Sequence, residues 1–192
     1  MVISSSNSSS KSNFDVVSIN SANKNLKRFT QNGQIQIYQS SYRGSYSSII
    51  SDSLRNAALG RKVLLVQFLK GGVKQGIANK IKLCGNLTWV RSAQSFDQYH
   101  SDEIENNQNL KESIHASTYD LWNFCKKELL SGENDQIILD EIFLALELKI
   151  IDKDDLISTL KNRFISGDVI LTGTDIPKDL LLMANQITEL RS

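Results

Sequence analysis

The sequence is short of cysteine and histidine and has almost no excess charge, and each shortage closes off a class of function. Lys and Arg number 22 against 21 Asp and Glu, a formal charge of +1. No bulk field draws the protein to nucleic acid or an anionic membrane, so neither is an implied partner, and any ligand site must be local. The two cysteines, Cys84 and Cys125, have no metal-type pairing. They read as reduced, partly buried thiols of a cytosolic protein. His100 and His115 have no metal-ligand spacing and read as solvated. No Ser or Cys has a credible base beside it. No apolar run reaches the roughly 20 residues that span a bilayer. The first residues carry neither a basic n-region nor an apolar h-region, so no secretory signal is expected and a cytoplasmic location follows by elimination.

What is present is uneven along the chain. Residues 1–30 are rich in Ser and Asn and poor in large apolar side chains. Such a stretch cannot bury enough surface to offset its ordering entropy, so it reads as a disordered tail with at most a short helix around Asn23–Phe29. Lys24, Lys27 and Arg28 there could touch an acidic partner. Residues 31–192 carry the folding signals. Ile35–Tyr38 alternates like a strand, and Ser47–Leu59 puts Ile50, Leu54, Ala57 and Ala58 on one helical face closed by Gly60. Val63–Phe68 is a continuous apolar run, the mark of a parallel strand covered on both faces, and Gln136–Leu139 reads as another buried strand. Leu87–Val90 is a short strand, and residues 91–107 read as a surface loop. Leu110, Ile114, Thr118, Leu121, Cys125 and Leu129 form one stripe of a long amphipathic helix. Trp89 reads as strand packing and Trp122 as helix–sheet core. Asp152 is a plausible N-cap for a helix to about Asn162, where the Asp152–Asp155 cluster complements the helix dipole. The strand Asp168–Leu171, a helix opened by Pro177 and reaching about Asn185, and the strand Gln186–Leu190 complete the order. Strands alternating with helices predict a doubly wound, mostly parallel α/β sheet.

In such a sheet ligands bind beyond the C-terminal strand ends. Three segments occupy that rim: residues 39–48, residues 67–76, and Asp140-Glu141. Here the chain resembles a known family. Ile35–Tyr38, Leu54-Arg55 and Gly60-Arg-Lys-Val-Leu-Leu-Val-Gln-Phe-Leu-Lys-Gly-Gly72 are similar to the opening of P-loop ATP:corrinoid adenosyltransferases. Ile137–Glu141 resembles that family's Walker-B segment. Asp168–Gly173 and Pro177 through Arg191 resemble its closing strand–loop–helix–strand, and Trp122 falls where the family carries a Trp. The resemblance implies transfer of the 5′-deoxyadenosyl group of ATP to cob(I)alamin or a related corrinoid, with Mg²⁺-ATP and corrinoid as ligands, a P-loop NTPase-like fold and a possible homodimer.

The departures lie at the phosphate grip. The family's Gly-Asn-Gly-Lys-Gly-Lys-Thr-Thr loop falls on Ser40, Ser41, Tyr42, Arg43, Gly44, Ser45, Tyr46 and Ser47. Glycines let backbone N–H groups cradle phosphate, and Tyr42 removes one. Ser45 stands where the phosphate-contacting lysine should be, and Tyr46 where the Mg²⁺-binding threonine should be. Arg43, Arg55, Lys70 beside Gly71, and the helix start near Ser47 offer a weaker anion site. Alternatively the segment is a structural turn capped by Ser47 or Ser48. For Asp140 and Glu141 two readings stand open: Mg²⁺ coordination, or an ancestral pair hydrogen-bonded to its neighbours. Phe96 is the nearest match to the family's corrinoid-contact aromatics, or else a plain surface aromatic. Thr174 replaces the arginine of the closing Thr-Gly-Arg, and the family's Lys-rich tail has no counterpart before Ser192. Two functions are therefore expected to compete: a divergent adenosyltransferase, and a non-catalytic binding or regulatory protein on the same fold. A P-loop kinase or GTPase is disfavoured by the same losses.

Overall fold

A computed structural model describes residues 32–43, 47–96 and 107–190. The expected tail, its helix, and most of the segment after Phe96 lie outside them. The elements run β1 (Ile35–Ser40), α1 (Ser47–Ala58), β2 (Val63–Gln67), β3 (Ile81–Leu83), β4 (Leu87–Arg91), α2 (Gln108–Ser131), β5 (Gln136–Asp140), α3 (Ile142–Glu147), α4 (Lys153–Asn162), β6 (Asp168–Gly173), α5 (Lys178–Leu181) and β7 (Gln186–Leu190). The strands form one sheet of order β3-β4-β2-β5-β6-β1-β7, parallel throughout except for β3, which pairs antiparallel to β4. The doubly wound expectation is met.

The two faces follow from the two-residue period of a strand. Val63 and Leu65 of β2 join Ile138 and Ile170 beneath α1, whose Ile49 and Ala57 are buried there. Leu64 and Val66, with Ile137, Leu139, Val169 and Leu171, face the opposite layer, built by α2 through Ile114, Leu121, Trp122, Cys125 and Leu129 and by α4 through Leu156 and Leu160. Every residue of β2 and β5 is buried, which is why the middle of each strand is apolar and the polar residues stand at the ends. α2 is capped by Asn107, whose side chain accepts from the Leu110 amide at 3.1 Å, and it ends at Gly132 with φ 73°. Asp152 caps α4 as expected, accepting from the Asp154 amide at 2.7 Å.

Some expectations shift. The buried face of α1 is Ile49, Ser53 and Ala57, flanked by Ile50 and Leu54, while Ala58 is exposed in the last turn. The helix after Pro177 is one turn, Lys178–Leu181. β3 and α3 are elements with no earlier expectation. β3 is only three residues long and half exposed, too short to show a period. α3 follows β5 so closely that its apolar residues read as an extension of the strand.

The connections set the location of any site. From β2 the chain moves outward to β4, and from β5 it moves the other way to β6. β2 and β5 are hydrogen-bonded neighbours, with Gln67 opposite Asp140 at their C-terminal ends. Chain directions diverge there, so the two following loops part and leave a crevice.

Candidate functional site

That crevice opens into a cavity of about 960 Å³, lined among others by Tyr42, Arg43, Lys70, Arg91, Phe96 and Glu141. Asp140 closes β5 and is buried. Its Oδ1 accepts from the Thr172 hydroxyl at 2.7 Å, and its Oδ2 accepts from Gln67 Nε2 at 2.8 Å and Lys70 Nζ at 2.9 Å. Thr172 Oγ1 in turn accepts from the Glu141 amide at 2.8 Å. One hydroxyl therefore orients both members of the acidic pair.

Glu141 is buried with φ 62°, in the left-handed region a non-glycine residue seldom enters. That turn points its side chain to the cavity instead of along the strand. Its Oε2 accepts from Arg43 Nε. Lys70 Nζ lies 3.1 Å from Oε1, within ion-pair range but outside hydrogen-bond geometry, so Oε1 is a buried oxygen without a hydrogen-bond donor.

Arg43 collects the rim. Besides Glu141, it donates through Nη1 to the Phe96 carbonyl and through Nη2 to the Leu69 carbonyl at 3.1 Å. The Leu69 carbonyl also accepts from the Phe96 amide at 2.9 Å. Leu69 has φ 58° and is fully buried, the second strained residue of the site. Such strain costs on the order of 1 kcal/mol per residue and persists where surrounding contacts over-determine it. The planar guanidinium spreads five donors over three nitrogens and so reaches a carboxylate and two carbonyls that lie apart, whereas an ammonium gathers its three donors on one nitrogen.

The structure brings most of the expected residues together. Ser40 is buried at the end of β1, its Oγ 3.4 Å from the Tyr42 amide, and Ser41 and half-exposed Tyr42 line the cavity. Gly44, Ser45 and Tyr46 lie outside the described residues. Ser47 and Ser48 are the first two residues of α1, so both expected caps sit inside the helix. Gly71 presses against the backbone of Gln94: an added Cβ would lie 2.2 Å from its carbonyl carbon. Phe96 is half-buried against the core with its ring 5.9 Å from the Arg43 guanidinium. Thr174 lines the cavity, and its carbonyl accepts from Gln39 Nε2 at 3.0 Å. Arg55, expected to support an anion, instead sits in the last turn of α1, largely exposed and 3.3 Å from Asp52. Helix length carries it about 12 Å from the first turn.

Sequence reasoning placed Gln67 on the rim without a role and did not anticipate Thr172 or the pairing of Trp89 with Arg91. Gln67 Oε1 accepts from Trp89 Nε1 and Arg91 Nε, both at 3.0 Å, and the Arg91 guanidinium stacks 4.4 Å from the Trp89 ring. A polar Gln closing an apolar strand run is a usable signal, since a buried amide demands partners. The strand register that aligns it with Asp140 and Arg91 cannot be read along the chain.

The donor set does not suit a divalent cation as it stands. Mg²⁺ asks for oxygen ligands with free lone pairs at about 2.1 Å. Here three of the four carboxylate oxygens are taken by hydrogen bonds and the fourth faces an ammonium. Among the described residues no group of three or more His, Cys, Asp or Glu is arranged to hold a metal.

Comparison with known proteins agrees with the resemblance. The corrinoid adenosyltransferase of Escherichia coli (strain K12) is 24% identical over 169 residues, covering 84% of this chain and 78% of that protein. The corrinoid adenosyltransferase CobA of Salmonella typhimurium (strain LT2) is 26% identical over 161 residues, with the same coverage of 84% and 78%. An uncharacterized protein of Nostoc sp. (strain PCC 7120), all2391, is 25% identical over 200 residues, covering 91% of this chain and 47% of that longer protein. The family described as ATP:corrinoid adenosyltransferase BtuR/CobO/CobP matches residues 31–192. The parallel sheet, the rim cavity at its switch point and this match together make the chain a divergent member of the ATP:corrinoid adenosyltransferase family.

Proposed function

We propose that the protein uses the rim cavity to bind a nucleotide or a corrinoid, and that ATP-dependent adenosylation of cob(I)alamin or a related corrinoid is lost or weakened in it. The observation that carries this reading is the engagement of Asp140 and Glu141 by Lys70 and Arg43 at the site where the family's chemistry would need a metal–phosphate grip. The replacement of the loop's lysine and threonine by Ser45 and Tyr46 supports it. A charge-assisted contact in a desolvated site contributes about 1.5–3 kcal/mol, and two are missing. Lying on the fold of an enzyme family, the same cavity supports a second reading, that of a working adenosyltransferase.

Calorimetry with Mg²⁺-ATP separates the two, followed by cob(I)alamin adenosylation under reducing conditions. Weak or absent ATP heat with little product is the expected result. Tight Mg²⁺-ATP binding together with turnover would establish the enzyme reading instead. The proposal places the protein in the cytoplasm without a nucleic-acid or membrane partner, and the near-zero net charge supports that. No described helix is long and apolar enough to cross a membrane. A homodimer is part of the same proposal, and light scattering of the full chain tests it.

A further inference from the structure

The acidic pair at the rim is balanced from within. Two cations, Arg43 and Lys70, face two buried carboxylates, Asp140 and Glu141, and their formal charges cancel. The balance is built from different loops. Arg43 follows β1, Lys70 follows β2, and the carboxylates close β5. Burying two carboxylates side by side without a counter-charge would cost several kcal/mol per ion. A fold that keeps such a pair must therefore supply positive charge, either bound from solution or carried by side chains.

We infer that Arg43 and Lys70 are built-in counter-ions that take the place of a divalent cation, so that the rim is charge-balanced and held together without metal.

Three observations support the exchange. Asp140 has both oxygens engaged, Oδ1 by Thr172 and Oδ2 by Gln67 and Lys70, so a metal ion would have to compete with existing donors. Glu141 Oε1, the one carboxylate oxygen without a hydrogen bond, is buried and faces Lys70 Nζ at 3.1 Å. Arg43 does more than neutralise. Its fork joins the turn after β2 through Leu69, the segment after β4 through Phe96, and the head of α3 through Glu141. A hydrated metal ion could meet the carboxylates, but it could not donate in fixed directions to two backbone carbonyls as a planar guanidinium does. The strained backbones of Leu69 and Glu141 both present acceptors to this one group. A third cation, Arg91, is turned aside by its stack on Trp89 and its bond to Gln67.

This inference extends the reading above, yet it is tested with metal alone, so the two can fail separately. Mn²⁺ is titrated into the full chain without nucleotide, and free Mn²⁺ is followed by electron paramagnetic resonance. The wild type should show no site tighter than about 1 mM, the weak end of oxygen-ligand cation sites. The double variant Arg43→Gln/Lys70→Gln uncovers the carboxylates and should bind Mn²⁺ at least tenfold more tightly. Adding Asp140→Asn to that variant should remove the gain. Wild-type binding that Asp140→Asn abolishes would overturn the inference, as would a folded double variant that gains no affinity. If the double variant does not fold, hydrogen exchange of the wild type decides. Residues 67–71 and 91–96 should be equally protected in EDTA and in Mn²⁺, and metal-dependent protection there would overturn it.

Discussion

Gln67 and Asp140 sit opposite each other at the ends of neighbouring parallel strands, and Gln67 Nε2 donates to Asp140 Oδ2 at 2.8 Å. The other end of the same amide accepts from Trp89 and Arg91. Gln67 thus couples the acidic pair to the aromatic–cation stack across three strands. Gln67→Leu fills the space but takes the acceptor from the Trp89 indole N–H and Arg91 Nε and leaves Asp140 Oδ2 with Lys70 alone. A loss of about 1–3 kcal/mol is expected in urea unfolding, with a shift in Trp89 emission in the native state.

Arg43→Ala should be costlier than a surface change, because Glu141 is 2% exposed and loses its main counter-charge. Breaking a buried pair from one side costs roughly 3 kcal/mol. Arg43→Lys should recover only part, since an ammonium cannot reach the Leu69 and Phe96 carbonyls together with Glu141. Thermal melts of the three proteins in parallel give the order wild type, Lys, Ala. A lysine variant as stable as wild type would deny the guanidinium its bridging role.

Gly71→Ala places a Cβ 2.2 Å from the Gln94 carbonyl carbon, a contact that backbone must relieve. The segment after β4 should move outward and take the Phe96 carbonyl from Arg43. Overpacking of this kind costs about 1–3 kcal/mol. The readout is faster amide exchange at Phe96, whose N–H is held by the Leu69 carbonyl in the native protein.

On the opposite side of the core interface, Asp155 accepts from Trp122 Nε1 at 2.8 Å and Lys126 Nζ at 2.9 Å. Burial alone would push its carboxyl up, but the hydrogen bonds from Lys126 and Trp122 and the Lys126 charge outweigh it and hold it below its ordinary value. A folded-state pKa below the unfolded value of about 3.9 contributes stability above that pH, and the contribution is lost as pH falls through the folded value. Asp155→Asn should therefore lower stability at neutral pH by less than about 1 kcal/mol, as the pair is partly solvated. It should also flatten the acid limb of the stability curve below about pH 4. Urea titrations at pH 7 and pH 3 check both.

The two thiols should differ sharply. Cys84 is exposed in the turn between β3 and β4, whereas Cys125 is buried on α2 and burial, reinforced by the Glu128 charge, pushes its thiol well above the usual range. A thiol reagent at pH 8 should modify Cys84 at once in the native protein and Cys125 only after unfolding. Rapid reaction of both in the native state would show that α2 opens readily.

Much of the fold was legible because its signals are local. The runs Val63–Phe68 and Gln136–Leu139 announce strands covered on both sides, and the stripe from Leu110 to Leu129 announces α2. β3 was not legible, since three half-exposed residues become a strand only by pairing with β4. α3 was hidden by the apolar run it shares with β5, and the left-handed turn at Glu141 that separates them has no sequence code for a non-glycine residue.

The sequence by itself determined the layered order of strands and helices, the rim position of the acidic pair, and the Ser45 and Tyr46 that stand where the family resemblance implies a lysine and a threonine. Apolar periodicity and residue identity are enough for those. Only the tertiary structure decided what the rim charges do. Arg43, Lys70, Gln67, Thr172 and Glu141 lie up to 129 positions apart, and strand register and two left-handed turns bring them within hydrogen-bond reach. The same distance argument removed Arg55, one helix away. A charge-assisted hydrogen bond forms only where donor and acceptor lie within about 3 Å. Its partners are therefore chosen by the fold, not by nearness in the chain.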